Sequence, residues 1–428
     1  MKILMLTPYL PYPLYSGGQI RSYNLLKYLS KKHQITLFSF IRSESETKYV
    51  KKLKEFCTDV RVFVKRPPWS LTSLALSAIS VYPLVVCMYL KRNLKEEIGK
   101  AIEREHFDLI HAETFYVMPN IPENKIPTIL VEQTIEYLVY QHFTESIKLL
   151  PLKWIMNFDV LKIRFWEKKF WQTASRVVAM SAADKKIMQT LTPRLTVDLV
   201  PNGVDTEFFT STSFALSDSK RVTRVRYPVD VTFNPAQQEG DERQALREKG
   251  KVILFVGNFK WLQNREAVTV LVKQIWPNIK KKLPNIKLWI VGRFPTYDIQ
   301  RFSSPSVKIS SDIEDIRDAY RLSDVLIAPI YGPGGTRYKI LEAMAAGLPV
   351  VTTPTGIEGL GVEHGREALV GINPSDLAKF TIQLLTDVSL YTKLATNGRK
   401  LVEKKFNWQT IADSLDHIYQ KAIYASQN

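Results

Sequence analysis

The chain has 428 residues, of which 45% are hydrophobic and 24% are charged, and its formal net charge at pH 7 is +17. This length is enough for two domains with separate cores, and the composition excludes a largely disordered protein. The positive charge predicts an anionic partner from among phosphorylated small molecules, acidic lipids and nucleic acids.

Strand-like and helical patterns alternate from the first residues, as they do in a doubly wound parallel sheet. The predicted strands of the first half are KILMLT, ITLFSF, VRVFVK, FDLIHAE, PTILVEQ, RVVAM and VDLVPNG. Because prolines follow KILMLT at once, we interpret it as a buried strand rather than a signal peptide. Cys57 and Cys87 lack metal-ligand spacing and are predicted to be reduced and structural.

An uncharged segment, WSLTSLALSAISVYPLVVCMYL, occupies residues 69–90 and is about long enough to cross a bilayer. It contains serines and Pro83, and basic pairs flank both of its ends. We expect a helical hairpin that is buried in the domain or dips into a membrane surface, with a transmembrane helix as the alternative.

The pattern breaks from Thr210 to about Gly250, which is predicted to be a linker or insertion. A second series of strands follows: KVILFVGNF, KLWIVGRF, VKIS, DVLIAPI and PVVTTP. The chain ends in an amphipathic helix, whose apolar stripe of Ile411, Leu415, Ile418 and Ile423 must pack on another element. The predicted organisation is a domain over 1–205, a linker over 206–250, a domain over 251–405 and a terminal helix over 406–428.

The most informative stretch is GGTRYKILEAMAAGLPVV, which begins at Gly334 and Gly335 just after a predicted strand. Thr336 is predicted to cap the helix that follows. Free N–H groups at a helix start, next to residues without side chains, form an anion site. Arg337 and Lys339 add positive charge there, so we expect an anionic ligand.

Four stretches resemble the retaining glycosyltransferase family 4, of the GT-B fold: PYPLYSGGQIR, DLIHAE, LVPNGVDTEFF and GGTRYKILEAMAAGLPVVTT. The resemblance covers nearly the whole chain. It implies an α/β protein with two Rossmann-like doubly wound domains that face each other across a cleft, and a C-terminal helix that packs back toward the N-terminal domain. VEQTIEYLVYQHF and FVGNFKWLQNREAV also look like sugar transferases associated with PEP-CTERM and exosortase systems.

The resemblance implies transfer of a sugar from a nucleoside-diphosphate sugar to a hydroxyl group of a lipid-linked or cell-surface glycan acceptor, with retention of configuration. In this family the glutamate matching Glu342 accepts hydrogen bonds from the ribose, and the histidine matching His111 contacts the transferred sugar. The alternatives are a surface glutamate and a structural histidine. Glu132 and Gln133 stand where family members often show Glu-His, so their role stays open.

The sequence departs from the family at two places. The family's pattern is Glu-x7-Glu, and the earlier position is Gly334 here. Asn258 stands at the place of an arginine that grips the diphosphate, and Lys260 and Arg265 are near it but out of register. We infer that Arg337 and Lys339 bind the diphosphate instead. The alternative is a catalytically inactive, nucleotide-sugar-binding partner subunit.

Gly17 and Gly18 follow the first strand and precede a helix that is predicted to begin near Gln19. One interpretation is an ordinary tight connection between a strand and a helix. The other is a backbone that approaches the donor diphosphate or the acceptor, and we assign both glycines to the donor site on that basis.

We expect neither a cofactor nor a metal ion, since no Asp-x-Asp site stands out and enzymes of this type generally need no bound cation. The absence of Gly-x-Gly-x-x-Gly after the first strand of either series excludes a dinucleotide oxidoreductase. Nucleic-acid binding is not predicted, because helix-turn-helix, RNA-binding and zinc-ligand patterns are missing. Transfer would proceed by same-face attack, with the departing phosphate oxygen taking the acceptor's proton.

The stretch PLKWIMNFDVLKIRFWEKKFWQTASR, residues 151–176, mixes Trp154, Trp166 and Trp171 with lysines and arginines. Such a helix suits the headgroup layer of an anionic membrane. The alternative is a helix that packs its aromatic side chains inside and solvates its lysines. We expect a cytoplasmic protein with peripheral contact at the inner face of the membrane. The donor base, the sugar, the acceptor, the linkage and the oligomeric state are not readable from these motifs.

Overall fold

The computed structural model describes residues 1–68, 70–210, 250–311, 313, 315–332 and 338–427. These residues form two compact units. The first domain comprises residues 1–202 together with the final helix, and the second comprises the described residues from Gly203 to Asn407.

The first domain contains a seven-stranded parallel sheet with the strand order β3-β2-β1-β4-β5-β6-β7. Its strands are β1 (Lys2–Thr7), β2 (Gln34–Ile41), β3 (Asp59–Val64), β4 (Leu109–Glu113), β5 (Thr128–Glu132), β6 (Arg176–Ala179) and β7 (Val197–Leu199). The order reverses between β1 and β4, and ligands of such sheets bind beyond the carboxyl ends of the strands at this reversal.

Helices accompany this sheet, since parallel strands buried on both faces need crossover helices to cover them. They are α1 (Gly17–Leu29), α2 (Val50–Leu53), α3 (Leu71–Ile79), α4 (Leu84–Tyr89), α5 (Arg92–Arg104), α6 (Glu136–Glu145), α7 (Leu150–Thr173) and α8 (Ala182–Leu191). Ser16 begins α1 by accepting a hydrogen bond from the N–H of Gln19, so this helix starts two residues before the predicted place.

The second domain repeats the arrangement with six parallel strands in the order β10-β9-β8-β11-β12-β13. These are β8 (Val252–Val256), β9 (Lys287–Val291), β10 (Val307–Ser310), β11 (Val325–Ala328), β12 (Val350–Thr352) and β13 (Leu369–Val370). Its helices are α9 (Thr206–Thr210), α10 (Leu262–Val270), α11 (Trp276–Lys282), α12 (Tyr297–Gln300), α13 (Ile316–Arg321), α14 (Tyr338–Ala345), α15 (Pro374–Thr386) and α16 (Val388–Lys405). Here the order reverses between β8 and β11.

The final helix, α17 (Trp408–Gln427), packs on the first domain. Ile411, Leu415 and Ile418 of its apolar stripe are buried, Ile423 is half-buried, and the helix contacts α1. At its polar edge Asp416 lies 3.0 Å from the ring of His33. The two predicted Rossmann-like domains and the return of this helix to the first domain are confirmed.

Two of the predicted segments are described in part. The linker expected over 206–250 begins with helix α9, and residues 211–249 lie outside the described residues. The segment 69–90, of which Trp69 is also outside, folds as the two short helices α3 and α4. Among the described residues, none of the helices combines the length and apolar character needed to cross a membrane.

Candidate functional site

Side chains from four elements meet at the carboxyl edge of the first sheet, at the reversal of strand order. Glu113 ends β4, Gln133 follows β5, Tyr9 lies two residues beyond β1, and Gly18 and Ser22 belong to α1. These five residues are called the first-domain cluster. Because the carboxyl ends of parallel strands share one edge, residues more than a hundred positions apart become neighbours there.

Glu113 is the centre of this cluster. Its Oε2 accepts hydrogen bonds from Ser22 Oγ at 2.9 Å, from Tyr9 Oη at 3.4 Å and from Gln133 Nε2. Gln133 Nε2 also contacts Tyr9 Oη. The carboxylate therefore fixes two polar side chains, Tyr9 and Gln133, which are less buried than Glu113 itself.

Gly18 is required by this packing. A Cβ atom at this position would overlap Tyr9 Oη and Gln133 Oε1. Gly18 thus allows α1 to approach these polar side chains closely, which gives it a packing reason that is specific to this cluster. Gly17 is the first residue of α1.

His111 is fully buried, two residues before Glu113 on the same face of β4. Its Nδ1 lies 2.5 Å from Tyr419 Oη, on α17, and its Nε2 lies 3.4 Å from Glu113 Oε1. The ring has no exposed surface with which to reach a sugar. Its predicted contact with the transferred sugar remains a prediction, and the structure places it in a chain of side chains that ends at Glu113.

The charge of Glu113 follows from its neighbours. Burial by itself raises the pKa of a carboxyl group, but the contacts with His111, Arg21 and Ser22 outweigh burial, and the pKa of Glu113 is lowered. Glu113 is therefore negatively charged at neutral pH and can hold Tyr9 and Gln133 by charge-assisted hydrogen bonds.

A second group of carboxyls, which we call the buried acid cluster, comprises Glu132, Glu136 and Glu167. Trp171 Nε1 donates to Glu132 Oε1 at 3.1 Å, and Glu167 accepts the N–H of Glu136 at 2.6 Å at the start of α6. Burial raises the pKa of Glu132 to about 8 and that of Glu136 to about 7. Burial, reinforced by the other two carboxyls, raises the pKa of Glu167 well above its usual value.

In the second domain, α14 supplies Lys339 and Glu342, which are one turn apart and follow β11 at the strand-order reversal. Lys339 Nζ donates to Asn264 Oδ1 at 2.7 Å and lies 4.4 Å from the centre of the Phe255 ring. Tyr320 Oη donates to Glu342 Oε2 at 2.6 Å. We call Asn264, Tyr320, Lys339 and Glu342 the second-domain cluster.

Both charged side chains of this cluster are held by neighbours. Burial raises the pKa of Glu342, against the opposing effects of Tyr320 and Lys339. Lys339 is 9% exposed, and its ammonium group lies between an amide oxygen and an aromatic face. A buried lysine and a half-buried carboxyl, one helical turn apart, can bind a phosphate and a hydroxyl of one ligand.

The loop after β8 lies beside this cluster. Asn264 Nδ2 donates to the carbonyl of Asn258 at 2.8 Å, so Asn264 joins this loop to Lys339. Gly257 follows β8 and Gly292 follows β9, and a Cβ at Gly292 would overlap the carbonyl oxygen of Gly257. The two glycines let the backbone of these neighbouring strand ends come together.

The two predicted basic residues near this loop have other contacts. Lys260 Nζ lies 3.7 Å from the centre of the Phe294 ring. Arg265 Nη1 donates to the carbonyls of Phe259 and Lys260, at 2.9 and 3.2 Å, and so braces the loop. The predicted residues Gly334, Gly335, Thr336 and Arg337 lie outside the described residues.

Sequence reasoning did not find Glu113, Tyr9, Ser22, Asn264 or Tyr320 as members of these clusters. For Glu113 a signal existed, because it lies two residues after His111 and therefore on the same face of its strand. The remaining four are polar residues on helices or loops, and their spacing carries no motif. Within the part of the chain that the structure describes, no group of three His, Cys, Asp or Glu side chains is arranged to hold a metal ion.

Comparison with known proteins agrees with the two-domain architecture. Residues 15–208 match the family model Glycosyltransferase Family 4, and residues 250–387 match the model Glycosyl transferases group 1. Together the two matches cover most of both domains.

Curated relatives are similar over part of their length. A D-inositol 3-phosphate glycosyltransferase of Rhodococcus erythropolis is 32% identical over 231 residues, which are 50% of this chain and 51% of that protein. A phosphatidyl-myo-inositol mannosyltransferase of Mycobacterium tuberculosis is 25% identical over 203 residues, 45% of this chain and 51% of that protein. The chain thus spans about half the length of these curated relatives.

Solved structures are similar over nearly the whole chain. Anabaena Alr3699/HepE, in complex with UDP and glucose, has a TM-score of 0.63 at 18% identity and covers 98% of this chain and 100% of its own. WaaG, a glycosyltransferase involved in lipopolysaccharide biosynthesis, has a TM-score of 0.60 at 14% identity, with 98% and 97% covered. At these identities the likeness concerns the fold. The two parallel-sheet domains thus have the GT-B fold, and each of them matches a glycosyltransferase domain model, the first that of family 4 and the second that of group 1.

Proposed function

We propose that this protein transfers a sugar from a nucleoside-diphosphate sugar to a hydroxyl group of a lipid-linked or cell-surface glycan. The observation that carries the proposal is the pair Lys339 and Glu342 on α14, at the strand-order reversal of the domain that matches the group 1 model. HepE, a neighbour by fold, is described with UDP and with UDP-glucose, which supports a nucleotide-sugar donor here.

In this proposal the second-domain cluster binds the nucleotide. Glu342 accepts hydrogen bonds from the ribose hydroxyls, and Tyr320 orients its carboxylate. Lys339 faces the diphosphate and stabilises the charge that develops on the leaving group, and Asn264 holds its ammonium in place. Arg337, Gly334, Gly335 and Thr336 are proposed to complete the diphosphate site.

The first-domain cluster acts on the sugar and the acceptor. Tyr9 and Gln133 are the groups placed to touch them, because Glu113 is fully buried and is occupied with holding both. His111 then serves as a positioning residue for Glu113, which differs from the direct sugar contact that the sequence predicts.

We propose that transfer retains the configuration by same-face attack, with the leaving phosphate oxygen taking the acceptor's proton. The burial of Glu113 supports this course, because a carboxylate without exposed surface is not placed to attack a sugar carbon.

We propose a cytoplasmic enzyme in peripheral contact with the inner face of the membrane, where lipid-linked acceptors are accessible. We also propose that it acts in polysaccharide synthesis for the cell envelope.

The test is release of nucleoside diphosphate from UDP- and GDP-sugars by the purified protein in the presence of membrane extract. Glu342→Gln and Lys339→Met should each lower release at least about tenfold, since each removes a hydrogen bond to a charged group. Lys379→Met, at an exposed lysine on α15, is the matched control and should leave release unchanged.

The same assay separates the enzyme from an inactive partner subunit. A donor that raises the melting temperature of the wild type, with no release in any extract, would favour the inactive subunit. If neither the nucleoside diphosphates nor their sugar derivatives shift the melting temperature, the proposal that the protein binds a nucleotide-sugar donor is wrong.

A further inference from the structure

Helix α7 presents an apolar stripe to solvent. Trp154, Phe158, Leu161 and Phe165 recur at intervals of four, three and four residues and are each at least 60% exposed. This spacing places them on one face of the helix. Large apolar side chains at such exposure are unusual when they are contiguous, and a contiguous patch indicates a binding surface.

Helix α3 also turns apolar side chains toward solvent. Leu71 and Ile79 are 85% and 83% exposed, and Val81 just beyond the helix is also exposed. Its serines are turned inward instead, since Ser73 is fully buried and donates to the carbonyl of Pro67. An ordinary surface helix shows the reverse arrangement, with its apolar residues inside and its serines in water.

The polar residues of α7 hold α3 against it. Lys162 Nζ donates to the carbonyls of Ser77 and Ser80, at 2.6 and 3.0 Å, and Ser77 Oγ donates to Asp159 Oδ1 at 3.3 Å. Trp166 is buried and donates to the carbonyl of Val81 at 2.8 Å. The charged and hydrogen-bonding groups are thus used between the helices, and the apolar groups are left outside.

The charges exposed on α7 itself have one sign. Helix α7 is described completely, and both of its acidic residues, Asp159 and Glu167, are buried. Its exposed charges, Arg164 and Lys169, are basic, and Lys153 is half-buried. The segment from Ser70 to Val81 carries no charge at all. An apolar face with a basic border is complementary to an anionic lipid surface.

We propose that this α3–α7 surface, formed by Leu71, Ile79, Val81, Trp154, Phe158 and Leu161 with their neighbours, inserts into the headgroup layer of an anionic membrane. This proposal makes the membrane contact of the proposed function more specific, and it depends on that part of the proposed function alone. Of the three tryptophans in the basic aromatic stretch, only Trp154 reaches the lipid, because Trp166 and Trp171 are buried.

Lipid is favoured over a second copy of the chain by the border of like charges. Two such surfaces in contact would bring Arg164 and Lys169 of each copy together, without an exposed acid on α7 to pair with them. An anionic membrane instead pairs with every one of these groups, and each basic residue near the surface strengthens the attraction.

The experiment is flotation of the full-length protein with vesicles of phosphatidylcholine alone and of phosphatidylcholine mixed with phosphatidylglycerol. The wild type should bind the mixed vesicles, and more weakly as salt rises. The triple variant Trp154→Ser, Phe158→Ser and Leu161→Ser should bind them at least about tenfold more weakly. The control, Ile372→Ser with Tyr297→Ser, alters two residues that are equally exposed in the second domain and should bind as the wild type does.

Charge is tested separately with Lys153→Glu, Arg164→Glu and Lys169→Glu, which should also reduce binding to the mixed vesicles. Equal binding of wild type and triple variant would overturn the proposal, as would binding that does not require phosphatidylglycerol. A wild-type dimer in solution that the triple variant abolishes would assign the surface to a second copy. The donor-induced rise in melting temperature, measured on the same samples, shows whether donor binding holds independently of the vesicles.

Discussion

Replacing Glu132 with glutamine tests the electrostatics of the buried acid cluster. Burial raises the pKa of Glu132 from its usual 4.5 to about 8. The native state therefore holds this proton more tightly than the unfolded state does. The resulting stabilisation is complete below pH 4.5 and is lost as the pH rises through about 8.

The size of the effect follows from the shift. Each unit of pKa difference corresponds to about 1.4 kcal/mol, so the wild type loses about 3 kcal/mol between pH 4.5 and pH 7 through this group. Glutamine carries no proton to lose, and its carbonyl can still accept the bond from Trp171 Nε1. Relative to the wild type, Glu132→Gln should therefore gain up to about 3 kcal/mol from pH 5 to pH 7.

Urea unfolding at pH 5, 6, 7 and 8, followed by tryptophan fluorescence, measures this difference. Glu103→Gln is the control, because Glu103 is exposed on α5 and its replacement should shift all four measurements little. Parallel curves of stability against pH for Glu132→Gln and the wild type would show that Glu132 is not a buried neutral acid.

Three further substitutions test the first domain. Gly18→Ala should lower transfer at least about tenfold, because the added Cβ displaces Tyr9 from the cluster. Gly99→Ala is the control and should leave transfer unchanged, because its Cβ would meet open space. Release of nucleoside diphosphate measures both variants. Tyr419→Phe removes the partner of His111 Nδ1 and should destabilise the protein by about 1 kcal/mol in urea unfolding. It should also lower kcat without weakening donor binding. An unchanged kcat would contradict the positioning role of His111. Arg21→Met should lower the free energy of unfolding by about 3 kcal/mol, because the fully buried guanidinium donates to three acceptors in residues 200–202. A melting temperature equal to that of the wild type would refute this.

The sheets were predictable because their strands are continuous apolar runs that are buried on both faces. β1 and β8 are examples, and each is followed at once by its turn residues. The two-residue strand β13 was missed, since two residues show no period. Gly18 and Glu342 could be singled out because a glycine pair and a family motif leave local signals in the sequence.

The interior of the clusters was not predictable in the same way. Gln133 meets Tyr9 across 124 positions, and Lys339 meets Asn264 across 75, and no local spacing encodes such a contact. On α7, aromatic residues occupy both faces, so composition alone could not decide that Trp154 is exposed and Trp166 buried. The hydrogen bonds from Lys162 to α3 determine which face of α7 is buried, and they exist only in the folded domain.

The most direct measurement is a crystal structure of the protein with a bound nucleoside diphosphate. The proposed function predicts ribose hydroxyls within about 3 Å of the Glu342 carboxylate and the diphosphate beside Lys339. A nucleotide bound elsewhere, with Glu342 still paired only to Tyr320, would contradict it.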